Sequence, residues 1–408
     1  MTAPEPRLRV IALRVRTCYN ICIVLKRYYR DDKGKPSIRA LIYEKSDHCI
    51  DRSAIDRDAV KICSRLNSRG FEAYIVGGAV RDLLLNRTPK DFDIATSASP
   101  NQVKKLFRNS RIIGKRFRLV HIYFHDGKIH EVATFRAPES GDRNHVYGTF
   151  YQDVTRRDFS LNALYYSPSE EVIIDFVGGV EDIRRRIVRS VLPLDTSFTE
   201  DPVRMLRAVK YAAITGMRIA PQVGRKIRKQ APLLASASVS RLSEELHKIL
   251  KSGNSEVIMR LMHRYHLLQP LLPRIEEILL SGGEKLREAF FLSLAEMDQQ
   301  MLTAELSRGR MLQFLTAPVM EATGVWKVPE LEVSDLQVPD YFNVVQELKN
   351  LLKPLVQPNR DVEEAVKWMF RERGLKMPRK RSRFAEENRS GRNSRPHYRH
   401  ARKFRENG

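Results

Sequence analysis

The 408-residue chain is predicted to be an α+β protein, with a mixed sheet and helices in its first half and helices alone in its second. Helix and strand patterns alternate from Ser53 to Phe135, which predicts a sheet with helices packed against it. Beyond about Asp201 the apolar spacing is almost entirely helical. From Arg371 onward, 14 Lys or Arg stand against 4 acidic residues and apolar residues are few, which predicts a disordered basic tail.

The sheet region begins after a basic leader, residues 1–48, which is irregular in pattern and predicted to be partly disordered. Ser53 with Asp56 resembles a capping box, and the apolar residues that follow recur at helical spacing until Gly70 ends the run. We therefore expect the first helix of the sheet region to begin near Ser53.

Short apolar segments and turn residues predict the remaining elements of this region. We expect a strand over Tyr74–Val76, a helix from Ala79 to about Leu85 and a strand over Asp91–Ala95. Residues 117–124 and 128–135 favour strands, and the turn residues between them predict a hairpin. Amphipathic helices are predicted in the second half over residues 203–214, 222–229, 239–250 and 256–265.

The charge balance restricts the partners of the chain. Lys and Arg outnumber Asp and Glu by 72 to 49, a formal net charge of +23. Such an excess indicates a polyanionic partner, and nucleic acid is favoured over an anionic membrane surface because phosphate contacts dominate its affinity. No apolar run approaches the roughly 20 residues of a membrane span. The 4 cysteines show no paired C-x-x-C spacing, which is typical of a reduced, cytoplasmic protein.

Two short motifs carry the chemistry of the sheet region. Gly77 and Gly78 lie between a predicted strand and helix, where glycine lets the backbone approach a ligand and the helix start attracts phosphate. Arg81 lies one turn further and is expected to reach the same anion. Asp91 and Asp93 are two apart on a predicted strand, so both carboxylates project from one face. Each motif alone is common, but together on successive elements they predict a phosphate and metal site.

Glu131 is the candidate for a third acid of this site. On its predicted strand it shares a face with Ala133 and Phe135, so it is expected to be a carboxylate held on the sheet. Paired carboxylates suit Mg²⁺, which takes one or two of them together with substrate phosphates. Two such ions can activate an attacking hydroxyl and stabilise the leaving oxygen. We therefore expect two Mg²⁺ ions, or Mn²⁺, held by Asp91 and Asp93.

The ordered motifs of residues 45–275 resemble the class II nucleotidyltransferases, the family of bacterial poly(A) polymerases and tRNA CCA-adding enzymes. They are GGAVRD, DFD, IGKRFRLVHIYF, EVATFR, RRDFSLN, DFVGG, EDPVRMLRA and RLSEE. The resemblance implies a polymerase-beta-like nucleotidyltransferase head, with mixed sheet and helices, followed by an all-α neck and body. The predicted domains are the leader (1–48), head (49–190), neck (191–275), RNA-binding body (276–370) and basic tail (371–408).

The resemblance also implies roles for individual residues. Asp91 and Asp93 would be metal ligands with Glu131 as third catalytic acid, and Gly77, Gly78 and Arg81 would hold the triphosphate of ATP. Arg157 and Asp158 would contact the sugar and phosphates of the nucleotide. Asp201 and Arg204 would read the base edge, although Asp201 before Pro202 also forms a favourable helix N-cap.

The activity implied is template-independent addition of AMP from ATP to RNA 3′ ends, which promotes RNA turnover. The basic segment Ile113–His121 and the Arg-rich tail favour a poly(A) polymerase, because varied RNA ends must be held by phosphate contacts. The alternative is a CCA-adding enzyme that uses CTP and ATP on tRNA. A third interpretation, an RNA-binding protein with an inactive head, is disfavoured because Asp91, Asp93, Arg157 and Asp158 are all present.

Overall fold

The computed structural model describes residues 8–17, 20–30, 36–114, 118–125, 127–137, 147–326 and 340–375. Its strands are β1 Leu8–Thr17, β2 Asn20–Arg30, β3 Pro36–Tyr43, β4 Ala73–Val76, β5 Asp93–Thr96, β6 Ser110–Ile113, β7 Leu119–Tyr123, β8 Ile129–Thr134, β9 Leu164–Ser167, β10 Val172–Asp175, β11 Ile187–Val188 and β12 Arg218–Ile219.

Short helices accompany the sheet, and longer helices follow it. The helices are α1 Lys45–His48, α2 Arg57–Asn67, α3 Gly78–Leu84, α4 Pro100–Leu106, α5 Phe150–Thr155, α6 Gly179–Arg184, α7 Leu194–Glu200, α8 Val203–Thr215, α9 Pro221–Gln230, α10 Val239–Leu250, α11 Ser255–Arg264, α12 Leu268–Leu271, α13 Pro273–Ser281, α14 Gly283–Gln300, α15 Arg308–Ala322, α16 Tyr341–Leu352 and α17 Asn359–Glu372.

Ten strands of the described residues form one sheet in the order β1-β2-β3-β10-β9-β4-β5-β8-β7-β6. Neighbouring strands are antiparallel except for β5 and β8, which run parallel. Ile94 pairs with Val132 across the parallel strands, so Asp93 and Glu131 both lie one residue before that pair. The fold class is confirmed as a mixed sheet with helices, followed by helices.

Both faces of the sheet are packed. Ile75, Ile94 and Val132 face a large core that includes helices α2 and α3. Tyr74 and Ala95 face a smaller core on the other side, which is covered by α5. Because strand side chains alternate between faces, Asp93 and Glu131 project on the side of this smaller core.

The helical half shares the larger core with the sheet. Buried apolar residues of α8, α10, α11, α14, α15 and α17 continue that cluster without a break. The boundaries at residues 190, 275 and 370 therefore stay predictions, since the packing marks no gap there. None of the helices in the described part combines the length and the apolar composition that crossing a bilayer requires.

The leader differs from the expected irregular segment. Residues 8–17, 20–30 and 36–43 form strands β1 to β3, which extend one edge of the sheet as antiparallel neighbours. β3 pairs with β10, so the leader continues the sheet of the head. The local sequence pattern of the leader did not indicate these strands, because strand pairing depends on a partner strand that is distant in the chain. Residues 1–7, 18–19 and 31–35 lie outside the described residues.

Element ends shift by a few residues from prediction. Helix α2 begins at Arg57 because Asp56, rather than Ser53, caps it and accepts the amide protons of Asp58 and Ala59. Strand β5 begins only at Asp93. Helix α17 continues to Glu372, past the predicted start of the tail at Arg371. Residues 376–408 of the predicted disordered tail lie outside the described residues.

Candidate active site

Asp91 and Asp93 lie where β5 begins, next to the glycine turn. Val76 pairs with Asp93 across β4 and β5, and Gly77 follows Val76 directly. Phe92 and Ile94 pack against the larger core, which turns the side chain of Asp93 to the opposite face. Both acids are exposed to solvent. The predicted metal ligands and the predicted phosphate-binding turn therefore meet at one edge of two neighbouring strands.

Glu131 is brought beside Asp93 by the parallel pairing of β5 and β8. Its Oε1 lies 3.2 Å from Nε2 of His121, which is directly opposite on β7. Crowding by protein atoms, then the charges of Glu131 and Asp91, raise the pKa of Asp93 to about 6, although Arg157 lowers it. Asp93 nevertheless keeps a solvent-exposed side chain.

The three carboxylates fit a site for divalent cations. Among the described residues, no Lys or Arg forms an ion pair with Asp91 or Asp93. Like charges without a counterion repel each other, as the raised pKa of Asp93 reflects, and bound cations would remove that repulsion. Oxygens of Asp91, Asp93 and Glu131 do not all fall within 4.8 Å of one another, so the number of ions stays a prediction.

We predict that Asp93→Asn stabilises the metal-free protein above pH 6. The folded-state pKa of about 6 exceeds the ordinary value, so ionisation costs stability as pH rises through 6, and asparagine avoids this cost. Because Asp93 is exposed and water screens the charges, we expect roughly 1 kcal/mol, or about 2 °C in melting temperature. Melting curves with a chelator at pH 8 and pH 4 measure the effect, which should vanish at pH 4. An equal rise in melting temperature at pH 8 and at pH 4 would contradict the prediction.

A second group of ligand-type side chains lies behind the DFD segment. Asp56, Asp58 and His130 place one ligand atom each within 4.8 Å of the others. Lys128 and Lys61 form ion pairs with the two aspartates, so cationic side chains already neutralise the group. The buried His130 ring lies 3.2 Å from Asp56 and 3.5 Å from the carbonyl oxygen of Phe92. This group supports the backbone between Asp91 and Asp93 from the opposite face of the sheet.

Gly77 is required by the shape of the turn. Its φ is +69°, and a Cβ there would lie 3.3 Å from Nη1 of Arg157 and 3.7 Å from the carbonyl oxygen of Asn162. Gly78 opens α3, and a Cβ on it would lie 3.6 Å from Nη2 of Arg81. The absence of a side chain at Gly77 thus lets Arg157 approach the turn closely, whereas Gly78 and Arg81 are at an ordinary contact distance.

Arg81 lies beneath the turn and is engaged with protein partners. Its guanidinium donates to Oδ1 of Asn162 at 2.9 Å and to both carboxylate oxygens of Asp82 at 2.8 and 3.0 Å. The residue is buried and also packs over the ring of Tyr211. Its contacts orient the turn, whereas direct contact with a triphosphate stays a prediction.

Arg157 is held by a buried network on the catalytic face. Its Nη2 lies 3.2 Å from Asp153, its Nε donates to the Tyr165 hydroxyl at 2.7 Å, and Nη1 donates to the Asn162 carbonyl at 3.0 Å. Tyr165 donates to Asp153 at 2.5 Å. Burial alone would raise the pKa of Asp153, but Arg157 and Arg156 hold it below its usual range. Arg157 therefore presents a fixed positive charge near Asp93.

Asp158 faces the neck helix α8. Its Oδ1 accepts the amide proton of Phe159 at 2.8 Å, and Oδ2 lies 2.8 Å from Nη2 of Arg207. The Arg207 contact has the distance of an ion pair without the alignment of a hydrogen bond. Asp158 therefore joins the sheet region to helix α8, and its predicted sugar contact stays a prediction.

Asp201 and Arg204 lie at the start of α8, one turn apart. The helix begins at Val203, with Pro202 rather than Asp201 in the cap position, but Oδ1 of Asp201 still accepts the Val203 amide proton at 3.2 Å. Nη2 of Arg241 donates to both oxygens of Asp201. Nη1 of Arg204 donates to the Ser197 carbonyl oxygen at 3.1 Å. The two predicted base readers are thus each held by a different neighbouring helix.

Sequence reasoning missed the supporting residues Asp153, Tyr165 and Arg241. The spacing of four between Asp153 and Arg157 is typical of an ion pair along a helix and offered a signal for Asp153. Tyr165 and Arg241 gave no such signal, because their partners are set by packing between separate elements.

A mixed sheet with an acidic pair beside a glycine turn, joined to a helical region, defines a nucleotidyltransferase fold. Residues 73–189 match the family described as poly A polymerase head domain. Residues 216–279 match the family described as probable RNA and SrmB-binding site of polymerase A. The chain thus carries a segment similar to the poly A polymerase head domain and a segment similar to the RNA-binding site of that polymerase, and its relatives include both bacterial poly(A) polymerases and CCA-adding enzymes.

Three known proteins illustrate the likeness. Poly(A) polymerase I of Salmonella typhi is 40% identical over 281 residues, 65% of this chain and 60% of the relative. The CCA-adding enzyme of Geobacillus stearothermophilus is 42% identical over 203 residues, 48% of this chain and 49% of the relative. The crystal structure of the Bacillus stearothermophilus CCA-adding enzyme in complex with CTP has a TM-score of 0.53 at 28% identity, covering 78% of this chain and 82% of that one. The chain thus spans about 60% of the first relative's length.

Proposed function

We propose that the chain is a polynucleotide adenylyltransferase, which adds AMP from ATP to RNA 3′ ends without a template. The observation that carries the proposal is the meeting of Asp91, Asp93 and Glu131 with the Gly77 turn. Poly(A) polymerase I of Salmonella typhi aligns over 281 residues, against 203 and 241 residues for two Geobacillus CCA-adding enzymes, which favours adenylation.

The reaction forms one P–O bond and breaks another. The RNA 3′ oxygen attacks the α-phosphorus of ATP, the bond to the β-phosphate breaks, pyrophosphate leaves and the hydroxyl proton is released. Mg²⁺ or Mn²⁺ ions, when bound, would lower the charge on the phosphates and on the attacking and leaving oxygens. Asp91 and Asp93 would hold them, and Glu131 adds negative charge beside Asp93.

The remaining contacts are positional. Arg157, fixed by Asp153 and Tyr165, supplies positive charge beside the Gly77 turn, where a triphosphate would lie. Gly77 lets the backbone come close to that anion. No covalent intermediate with the protein is needed, because phosphoryl transfer depends mainly on positioning and charge neutralisation.

A groove in the helical half suits the RNA strand. Its volume is about 1120 Å³, and Arg228, Arg264, His266 and Lys353 line it together with four prolines. Cationic side chains can contact phosphates, and the apolar walls can pack against bases. Most of its lining falls within the segment that matches the polymerase RNA-binding family. The AMP residues added to the 3′ end of an RNA bound in this groove would promote the degradation of that RNA.

The assay that tests this function compares two RNAs and all nucleotides. Purified protein receives a tRNA that ends before CCA or an unrelated RNA, with each NTP alone and then CTP with ATP. We expect long A tracts on both RNAs with ATP. C, C and A on the tRNA alone would assign CCA addition instead, and no extension of either RNA would overturn both.

A further inference from the structure

A group of three possible metal ligands lies on the side of the sheet away from the Asp93 carboxylate. Asp56 and Asp58 lie where α2 begins, and His130 lies on β8. One ligand atom from each of these residues lies within 4.8 Å of the other two. The group therefore joins the start of a helix to a strand of the sheet.

His130 is the member of this group that points to a ligand. Its side chain is 2% exposed, and Nε2 forms no hydrogen bond within the part of the chain that the structure describes. Nε2 lies 3.2 Å from Oδ1 of Asp56, so it is directed into the group. A buried polar atom without a hydrogen bond destabilises the fold and is rare in native proteins. A proton or a metal ion on Nε2 would remove that destabilisation.

The other ring nitrogen of His130 has the surroundings of a metal-binding histidine. Nδ1 lies 3.5 Å from the carbonyl oxygen of Phe92. Histidines that bind a metal through one nitrogen commonly direct the other toward a backbone carbonyl, which fixes the ring. With the ring proton on Nδ1, Nε2 has a lone pair, and that lone pair faces the carboxylate of Asp56. A cation bound by both atoms would turn this unfavourable contact into two favourable ones.

The two aspartates can exchange their ion-pair partners for a metal ion. Oδ1 of Asp56 caps α2, whereas Oδ2 pairs with Lys128, whose side chain is 41% exposed. Asp58 pairs with Lys61, whose side chain is 73% exposed. Exposed ion pairs of this kind contribute little to stability. Because one divalent ion balances both carboxylates, it can replace the two ammonium groups and leave the helix cap intact.

We propose that Asp56, Asp58 and His130 bind a divalent transition-metal ion such as Zn²⁺, which fastens α2 to β8. One imidazole nitrogen and two carboxylate oxygens suit Zn²⁺, with water as the fourth ligand. Tetrahedral bonds of about 2.1 Å place ligand atoms roughly 3.4 Å apart, so a small inward movement of the side chains completes the site. Mg²⁺ takes oxygen ligands, so the imidazole distinguishes this site from that of Asp91 and Asp93. The inference does not depend on the proposed function.

The test titrates ZnCl₂ into the chelator-treated full chain and into Asp58→Asn, His130→Gln and a matched control, His125→Gln. Excess MgCl₂ competes for the all-oxygen site of Asp91 and Asp93. His125 is exposed in the turn before β8 and lies outside the group. Calorimetry should show one Zn²⁺ per chain that the wild type and the control bind at least about tenfold more tightly than the other two variants do, because each of these lacks one ligand.

Thermal melting gives a second readout. Zn²⁺ at about a hundred times its Kd should raise the melting temperature of the wild type by roughly 3 to 5 °C, and Asp58→Asn should lose most of that rise. Asp58→Asn breaks only an exposed ion pair, so it decides the matter even if His130→Gln fails to fold. Equal Zn²⁺ affinity in the wild type and Asp58→Asn would overturn the inference, since other groups would then hold the ion. An unchanged melting temperature of the wild type with Zn²⁺ would also overturn it.

Discussion

Asp91→Asn and Asp93→Asn should each reduce nucleotide transfer by at least about a thousandfold. Each change removes a negative charge from the position where cations must be held against the triphosphate, while it keeps the size of the side chain. The protein should stay folded, because both residues are exposed and neither takes part in an ion pair with a described Lys or Arg. Single-turnover extension of a labelled RNA with ATP measures the loss.

Glu181→Gln serves as the control for this pair. Glu181 is an acid of the same domain, and its ion pair with Arg185 on α6 is exposed. We expect wild-type extension from this variant. If Asp91→Asn or Asp93→Asn retained a tenth of the wild-type rate, that residue would have no part in metal binding.

Asp153→Asn should destabilise the protein by about 3 to 5 kcal/mol and also lower its activity. Asp153 is only 2% exposed and accepts from Arg156, Arg157 and Tyr165, so its loss leaves buried cationic groups without their counterion. Arg157 would lose a contact that holds its guanidinium beside the Gly77 turn. Thermal melting and RNA extension at pH 7 measure the two effects.

The pH dependence of this effect has a definite sign. The folded-state pKa of Asp153 is lowered, so its stabilising contribution is complete above about pH 4 and is lost as pH falls through the folded-state value. The difference between wild type and variant should therefore shrink in acid. Asp195→Asn, which breaks an exposed ion pair with Lys226, should leave the melting temperature close to that of the wild type. A similar cost for the two variants would show that the buried network is not what fixes Arg157.

Local patterns carried much of the fold and of the candidate site. Helix α10 spans the predicted residues 239–250, and the hairpin of β7 and β8 forms where turn residues separated two strand-like segments. The common face of Asp91 and Asp93, expected from the alternation of side chains along an extended chain, stays a prediction because β5 begins only at Asp93. Such features depend on residues within a few positions of each other, so the spacing of residues along the sequence is enough to predict them.

Long-range pairing decided the rest. The parallel register of β5 and β8 brings Glu131 to Asp93, and the antiparallel pairing of β3 with β10 turns the leader into part of the sheet. Neither partner is visible in the local pattern, because strand register is set by which distant segments bury their apolar faces together.

The sequence by itself therefore determined most element types after the leader, the acidic pair, the glycine turn and the arginines that could surround a nucleotide. Only the tertiary structure decided which of those side chains are open to a ligand and which are engaged. Arg81 and Arg204 illustrate this, since the guanidinium of Arg81 is engaged by Asp82 and Asn162, whereas Nε and Nη2 of Arg204 make no hydrogen bond to another described residue. The physical reason is that a side chain's free hydrogen-bonding positions depend on contacts from elements far away in the chain, as Arg241 does for Asp201.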